Sequence, residues 1–530
     1  MTTQTPPSTL PEMLRQVVAA RSGHDAISMI NETVSYAELD RRTAHMARAL
    51  ISAGAGKGAR VALLAPDGVF WVTVFLAALR IGALITVIST LCTPRELAHM
   101  LRHSDVQFLI SARRFLRHDY SQTLESAFPD IREQQPGALH VADAPFLRSI
   151  WLDDNNNVSW AQSVDQLQAR ADRLDDKFLR ALEEQVAPSE DAVIVYTSGS
   201  TSLPKAVVHT QWNLTRHPPE LAKLFLVKQG DRMLPMLPAF WLGGMAMAMQ
   251  VLSQGATLVY PSSPDLEDVL DAIIRCRATR VNGWGDGLAR LRALATQRAV
   301  DVDAIVGLGH FHDHNGELIP AKHQSNMLGM SETFAPHSAE PINVRLPEGK
   351  AGASGRTVNN YERRVVNPET GDVLPPGEVG ELQLRGGALM SGLYKKRRNE
   401  VFTPDGFYPT GDLVRIDAEG YLTFVARRTD MIKTRAANVS RLEVEAALNA
   451  IPEVALSVVT GLPDDEFGQI VAAAIVRASD AAISADDIRA ALRYTLSSYK
   501  IPRRIIFVSN ADIPRTATGK LKLNELAKLF

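Results

Sequence analysis

The chain is nearly without cysteine: Cys92 and Cys276 are its only two. They lie far apart with no CxxC spacing, so neither a disulfide framework nor a structural zinc site is supported, and a reducing cytoplasm fits. An excess of charge is missing as well. A formal net charge of -2 with 22% charged residues gives no general attraction to nucleic acid or to an anionic membrane. The opening MTTQTPPSTLPEML lacks the basic-then-apolar order of a signal peptide. One run, Val69 to Ile88, approaches membrane-spanning length, but Arg80 and Gly82 divide it into a helix-sized and a strand-sized piece, so no integral span is expected. Internal repeats and low-complexity tracts are absent too. What remains is a 45% hydrophobic chain of 530 residues, longer than one core usually organises, so two or more domains are expected.

The text alternates in a way that suggests βαβ units. Ser35 and Glu38 form a capping-box pattern ahead of the amphipathic YAELDRRTAHMARALISA, and Gly54 and Gly56 precede the strand-like RVALLAP. After the apolar LITVIS, Thr93-Pro94-Arg95-Glu96 supplies an N-cap, a proline at the first helical position and an acid at the third, then LAHMLRHS and the strand VQFLIS. Residues 119–189 are more polar and read as excursions and surface helices. The alternation resumes with ATLVYPSS, DLEDVLDAIIRCRA and TRVNGW. A charged connector, ARRTDMIKTR, precedes a compact set of helices and strands. The expectation is an α/β protein with a large N-terminal domain of parallel and mixed sheets flanked by helices, residues 1–428, and a small C-terminal α/β domain, 429–530.

Behind the apolar AVIV, residues 196–210 read YTSGSTSLPKAVVHT. Small residues let backbone N–H groups turn inward, hydroxyls add donors and Lys205 adds a mobile positive charge, so Thr197, Ser198, Gly199, Ser200, Thr201 and Lys205 describe a polyphosphate cradle. A Walker A loop is excluded, because Pro204, Lys205 and Ala206 stand where its last glycine, lysine and hydroxyl would be, which leaves another kind of phosphate loop or only a polar surface turn. Four further islands follow: GMSET (329–333), YPTGDL (408–413), RRTDMIKTRAANVS (427–440) and IPRTATGK (513–520). Singly, Glu332, Asp412 and Lys520 read as solvated or turn residues. Together they supply an acid for a divalent cation, an acid for ribose hydroxyls and a late lysine on a separate domain.

With these motifs the chain resembles the adenylate-forming superfamily, which includes acyl-CoA synthetases, luciferases and the adenylation domains of peptide synthetases. The resemblance runs from about Ser35 to the C-terminus. It implies a mobile C-terminal lid and a two-step reaction: a carboxylate attacks the α-phosphate of ATP, then a thiol, typically coenzyme A, displaces AMP. It also implies roles. The loop and Lys205 would hold the β and γ phosphates, Glu332 with Ser198 would hold Mg²⁺, and Ser331 and Gly309 would contact the nucleotide. Asp412 would accept the ribose hydroxyls with Arg427 beside it, Lys520 would be the main catalytic group, and Lys433 would approach the site in a second domain pose about a hinge at Thr429. Several family glycines are replaced, by Ser202, Ala206, Ala426 and Ala436, and Leu328 stands where an aromatic residue often stacks on adenine. Ala436 lies where the thiol arm would pass. Transfer to an amine or a carrier-protein thiol, or a nucleotide-binding regulator without catalysis, are the competing readings.

For the acid, the candidate pocket walls are Phe240, Trp241, Met245, Trp284, Leu308 and Phe334, with plain core packing the alternative for the methionine and the aromatic residues. No acid within PAFWLGG could pair an α-ammonium, so a hydrophobic or aromatic carboxylic acid is expected. His310, His312 and His314 alternate along HFHDH and read as polar loop residues rather than metal ligands.

Overall fold

The runs RVALL, LITV and FLIS are apolar without alternation, the mark of strands covered on both faces. In the computed structural model, which describes residues 6–530 apart from 157, 198–203, 284, 285, 428–430, 435, 436, 479–481, 516–520 and 522, they are adjacent parallel strands. Leu84–Val87, Arg60–Leu64 and Phe108–Ser111 sit at the centre of an eight-stranded sheet. Ser149–Leu152 and Gln162–Ser163 extend it on one side, and Asp191–Thr197, Lys205–Thr210 and Gly392–Leu393 on the other. Only the pairings beyond Asp191–Thr197 are antiparallel. A second, five-stranded sheet runs Arg280–Asn282, Arg232–Pro235, Thr257–Val259, Asp25–Ser28 and Thr33–Ser35.

Val69–Ile88 divides as its Arg80 and Gly82 suggest, into a helix, Val69–Arg80, and the strand Leu84–Val87. Arg80 is buried because it is paired: its Nε donates to Glu183 Oε1 at 2.5 Å and its Nη1 to Asp40 Oδ1 at 2.7 Å. Among the described residues, no helix is long and apolar enough to cross a membrane.

Two local readings need correction. Ser35 caps its helix, accepting from the Glu38 N–H at 3.2 Å, but the return half of the box is missing. Glu38 has arginines three and four residues on, and its carboxylate turns to Arg41 and Arg42 instead. The second correction is in residues 119–189, which are not only excursions: Ser149–Leu152 is a fully buried strand of the main sheet, with Trp151 stacked on Phe108. The Thr93 box, by contrast, closes in both directions.

A four-stranded antiparallel sheet, Glu362–Val366, Val379–Arg385, Tyr408–Ile416 and Leu422–Arg427, follows the main sheets. Beyond it Met431–Thr434, Ala437–Ser440, Gly468–Arg477, Val454–Asp464 and Arg504–Phe507 form a last sheet. Ile432, Val444, Leu448, Ile475, Ile488 and Leu496 share a hydrophobic core separate from those of the preceding sheets. The fold is therefore α/β, a large N-terminal domain of mixed sheets with a small C-terminal one. The 428/429 boundary and Thr429 lie outside the described residues.

Candidate active site

The stretch read as a phosphate loop lies between two antiparallel partners. Strand Asp191–Thr197 enters it and Lys205–Thr210 leaves it, with Thr197 opposite Lys205 and Tyr196 opposite Ala206. Ser198, Gly199, Ser200, Thr201 and Ser202 lie outside the described residues, as do Lys520, Trp284 and Ala436. Lys205 is half-buried at the hairpin's edge. Residues 516–520 are bracketed by Arg515 and Leu521, which form an antiparallel bridge.

Three other motifs are joined to this hairpin by contacts. His209, on the strand leaving the loop, donates from Nε2 to the Ser331 carbonyl at 2.7 Å. Burial holds its imidazole down to about 4, so the ring is neutral and keeps this tautomer at pH 7. Ser331–Thr333 is a single 3₁₀ turn, and its Glu332 is buried. The Tyr408 hydroxyl donates to Glu332 Oε1 at 3.0 Å, and the Met390 N–H to its backbone carbonyl at 2.8 Å. Tyr408 opens the strand that carries Asp412. Across the next pairing, Asp412 faces Arg427, whose Nε donates to Asp412 Oδ1 at 2.8 Å.

Asp412 is 1% exposed. Its burial raises its pKa, Arg427 and then Lys433 oppose the rise, and Glu332 adds to it. These groups thus share one electrostatic neighbourhood. Lys433 is exposed, with its ammonium 5.2 Å from the Phe424 ring centre, and its backbone N–H donates to Gln469 Oε1 at 2.8 Å.

The candidate pocket residues divide. Phe240 and Trp241 meet edge to face at 5.5 Å, and Met245 is buried on the following helix, Leu242–Ser253. Phe334 is fully buried edge to face with His209, 5.0 Å between rings. Leu308 belongs instead to a second core, with Val281, Leu291 and Val302. Gly309 is needed for close approach, since a Cβ there would stand 2.3 Å from the Asp303 carbonyl oxygen. His310, His312 and His314 are exposed on their loop.

Several site residues were not singled out from sequence. Tyr408 lies inside a quoted motif, yet nothing in its residue type distinguishes it from a strand residue. His209 sits in a strand in which Ala206 to His209 are all buried, so no alternation marks it out. Asp67 accepts the Ala239 N–H at 2.9 Å, fixing the start of the Phe240–Trp241 segment, and burial pushes its carboxyl up to about 7; a loop Asp-Gly gave no such signal.

Residues 14–394 match the family model described as AMP-binding enzyme, and residues 443–520 that of the AMP-binding enzyme C-terminal domain. The chain belongs to the AMP-binding enzyme family. Among curated relatives of this AMP-binding enzyme is the putative acyl-CoA synthetase YngI of Bacillus subtilis (strain 168), 27% identical, covering 98% of this chain and 96% of the relative. The mitochondrial medium-chain acyl-CoA ligase ACSF2 of Mus musculus is 26% identical, covering 97% and 86%. The amide bond synthetase McbA of Marinactinospora thermotolerans shares the fold with a TM-score of 0.77 at 24% identity, covering 98% of this chain and 99% of that one. So does the o-succinylbenzoate CoA synthetase MenE of Bacillus subtilis, with a TM-score of 0.73 at 22% identity and coverages of 97% and 98%.

Proposed function

We propose that this AMP-binding enzyme is an ATP-dependent acid–thiol ligase that joins a hydrophobic or aromatic carboxylic acid to coenzyme A. The observation that carries this reading is the unbroken run of contacts from the loop's exit strand through His209, Ser331–Glu332 and Tyr408 to the Asp412–Arg427 pair. Four motifs far apart in sequence thus form one wall. In the first step a carboxylate oxygen bonds to the α-phosphorus of ATP while the bond to the β-phosphate oxygen breaks, releasing pyrophosphate. In the second the thiol sulfur bonds to the acyl carbon, its proton is lost and AMP departs.

Each residue's part follows from charge. Asp412, buried and ionised beside Arg427, accepts the ribose hydroxyls; Lys205 and the loop restrain the departing phosphates. Glu332 is a buried oxygen donor held by Tyr408, which suits a hard divalent cation, and Mg²⁺ bound there would screen the phosphate charge. Lys520 would meet the charge that builds between carboxylate and α-phosphate. The mobile lid from residue 429 belongs to the same proposal, supported by its separate core. A cytoplasmic location is supported by the two free, buried cysteines.

The test is acid-dependent pyrophosphate and AMP release over a panel of carboxylic acids, with Lys520→Ala as control. Adenylation should collapse in the variant while ATP binding persists; an unaltered rate would remove Lys520 from the mechanism. Ala436, in place of a glycine, motivates the second reading, acyl transfer to an amine or a carrier-protein thiol. Offering CoA, an amine and a carrier in parallel separates the two, and no acyl-CoA from any activated acid would leave the second.

A further inference from the structure

One buried ionic cluster lies outside the nucleotide wall and joins the two domains. Glu96 is the acid of the Thr93 capping box and receives the Thr93 N–H at 2.9 Å through Oε2. The same oxygen accepts from Ser497 Oγ at 2.7 Å, and Oε1 accepts from Lys500 Nζ at 3.0 Å. Lys500 also donates to Glu443 Oε1 at 2.7 Å. Glu443 is itself the first-turn acid of the helix Arg441–Asn449. One ammonium thus bridges the first turns of two helices, one from each domain. Lys500 is 3% exposed. Beside it Tyr499 meets Trp241 edge to face, 6.4 Å between ring centres, so the junction reaches the segment proposed to line the acid pocket. A second pair across the domains, Arg290–Glu466 at 3.5 Å, is largely exposed and adds little.

The arrangement is suited to release. Burying a charge without a partner is costly, so a contact that must break repeatedly is a trap if either partner is left bare. Here neither is. Should the C-terminal domain depart, Glu96 keeps its Thr93 donors and Lys500 leaves with Glu443. In the pose held by these contacts, Lys433 stands over Phe424 and within electrostatic reach of Asp412, which turns the linker's lysine toward the nucleotide end of the site.

We propose that Glu96, Ser497 and Lys500 form a releasable catch that holds the C-terminal domain in the acyl-transfer pose, making Glu96 and Lys500 positioning residues for the second half-reaction. The assignment of that half-reaction rests on the ligase reading above; the catch itself does not.

The experiment uses the full chain. Glu96→Gln keeps an amide able to serve the capping box while removing the charge; Lys500→Met removes the ammonium and Lys500→Arg restores a cation. Because Cys92 and Cys276 are buried, dyes can be placed at Val373→Cys and Tyr494→Cys, which are 63% and 78% exposed in the parent. Energy transfer between them then reports the domain pose without any substrate. Two single-turnover rates are read beside it: acid-dependent pyrophosphate release without CoA, and decay of preformed adenylate on adding CoA.

Glu96→Gln and Lys500→Met should each shift the energy-transfer distribution and slow transfer by about ten-fold, with adenylation within about two-fold and Lys500→Arg close to the parent. A parent-like distribution overturns the catch, and so does an equal fall of both half-reactions. If the parent forms adenylate but passes it to no CoA while the distributions still shift, the ligase reading fails and the catch stands. Should Lys500→Met not fold, Glu96→Gln alone decides, since its capping bonds are retained.

Discussion

Asp412 and Arg427 are direct partners across two antiparallel strands, and the bond between them is made where the aspartate is almost wholly buried. The arginine therefore controls the acid's charge as well as its direction. Burial raises the pKa of Asp412 and Arg427 lowers it, so removing the guanidinium lets burial act unopposed by its nearest cation. Arg427→Gln should move the acid limb of kcat/KM for ATP to higher pH, because the proposed grip on both ribose hydroxyls uses both oxygens of the ionised carboxylate as acceptors. Asp412→Asn should lower kcat/KM by about 10- to 100-fold, the usual worth of hydrogen bonds to a charged group. A pH profile in Arg427→Gln identical to the parent's would remove this role.

Glu332 and Tyr408 give a graded pair. Glu332→Gln should cut adenylation by about 100-fold at saturating Mg²⁺, as loss of the carboxylate proposed to hold the charge-screening cation would. Tyr408→Phe leaves the carboxylate but removes its 3.0 Å donor, and should cost about ten-fold or less. Pyrophosphate release measures both. Equal losses would mean that the tyrosine acts on something other than Glu332.

Acid stability should report the buried histidines. His217 packs edge to face with Tyr361, 5.5 Å between ring centres, and neither ring nitrogen has a hydrogen-bond partner among the described residues. Burial, with His209 nearby, depresses its pKa to about 3. The unfolded chain binds a proton near pH 6.5 and the folded chain does not, so this group's contribution to stability falls as pH drops from about 6.5 toward 3. His217→Phe should abolish that share. Relative to the parent, it should gain about 1.4 kcal/mol per pH unit across this window in chemical denaturation. A constant difference between the two from pH 7 to 4 would contradict it.

Gly244 packs against the backbone just before the Phe240–Trp241 segment proposed to line the acid pocket. A Cβ there would lie 2.3 Å from the carbonyl oxygens of both Leu237 and Pro238, backbone atoms that cannot yield alone. Gly244→Ala should displace the Phe240–Trp241 segment, destabilise the chain by about 1–3 kcal/mol, and change relative kcat/KM among carboxylic acids more than KM for ATP. Unchanged acid preference would place this segment away from the pocket.

How much of this was legible follows from how far each feature reaches along the chain. The nucleotide motifs were readable because their residue types are themselves the chemistry, and the central strands because their apolar runs are unbroken. Ser149–Leu152 was hidden because four residues between polar loops carry no period. The Ser35 box misled because Glu38 had two arginines on its own helix to choose from. The segment GLGHFHDH suggests Leu308 as a pocket wall, and in the fold it packs in a second core with Val281, Leu291 and Val302. Lys500 sits 404 residues from Glu96, and no local pattern announces such a partner.

Glu96 begins a helix in one domain and is gripped by the other. Inheritance must therefore treat it as a shared joint: a change that only loosens the first fold will surface as altered turnover, and one selected for tempo will be felt as fragility. Lineages that retune how fast the enzyme cycles would be expected to do so at Ser497, leaving both helix starts and the lysine between them alone.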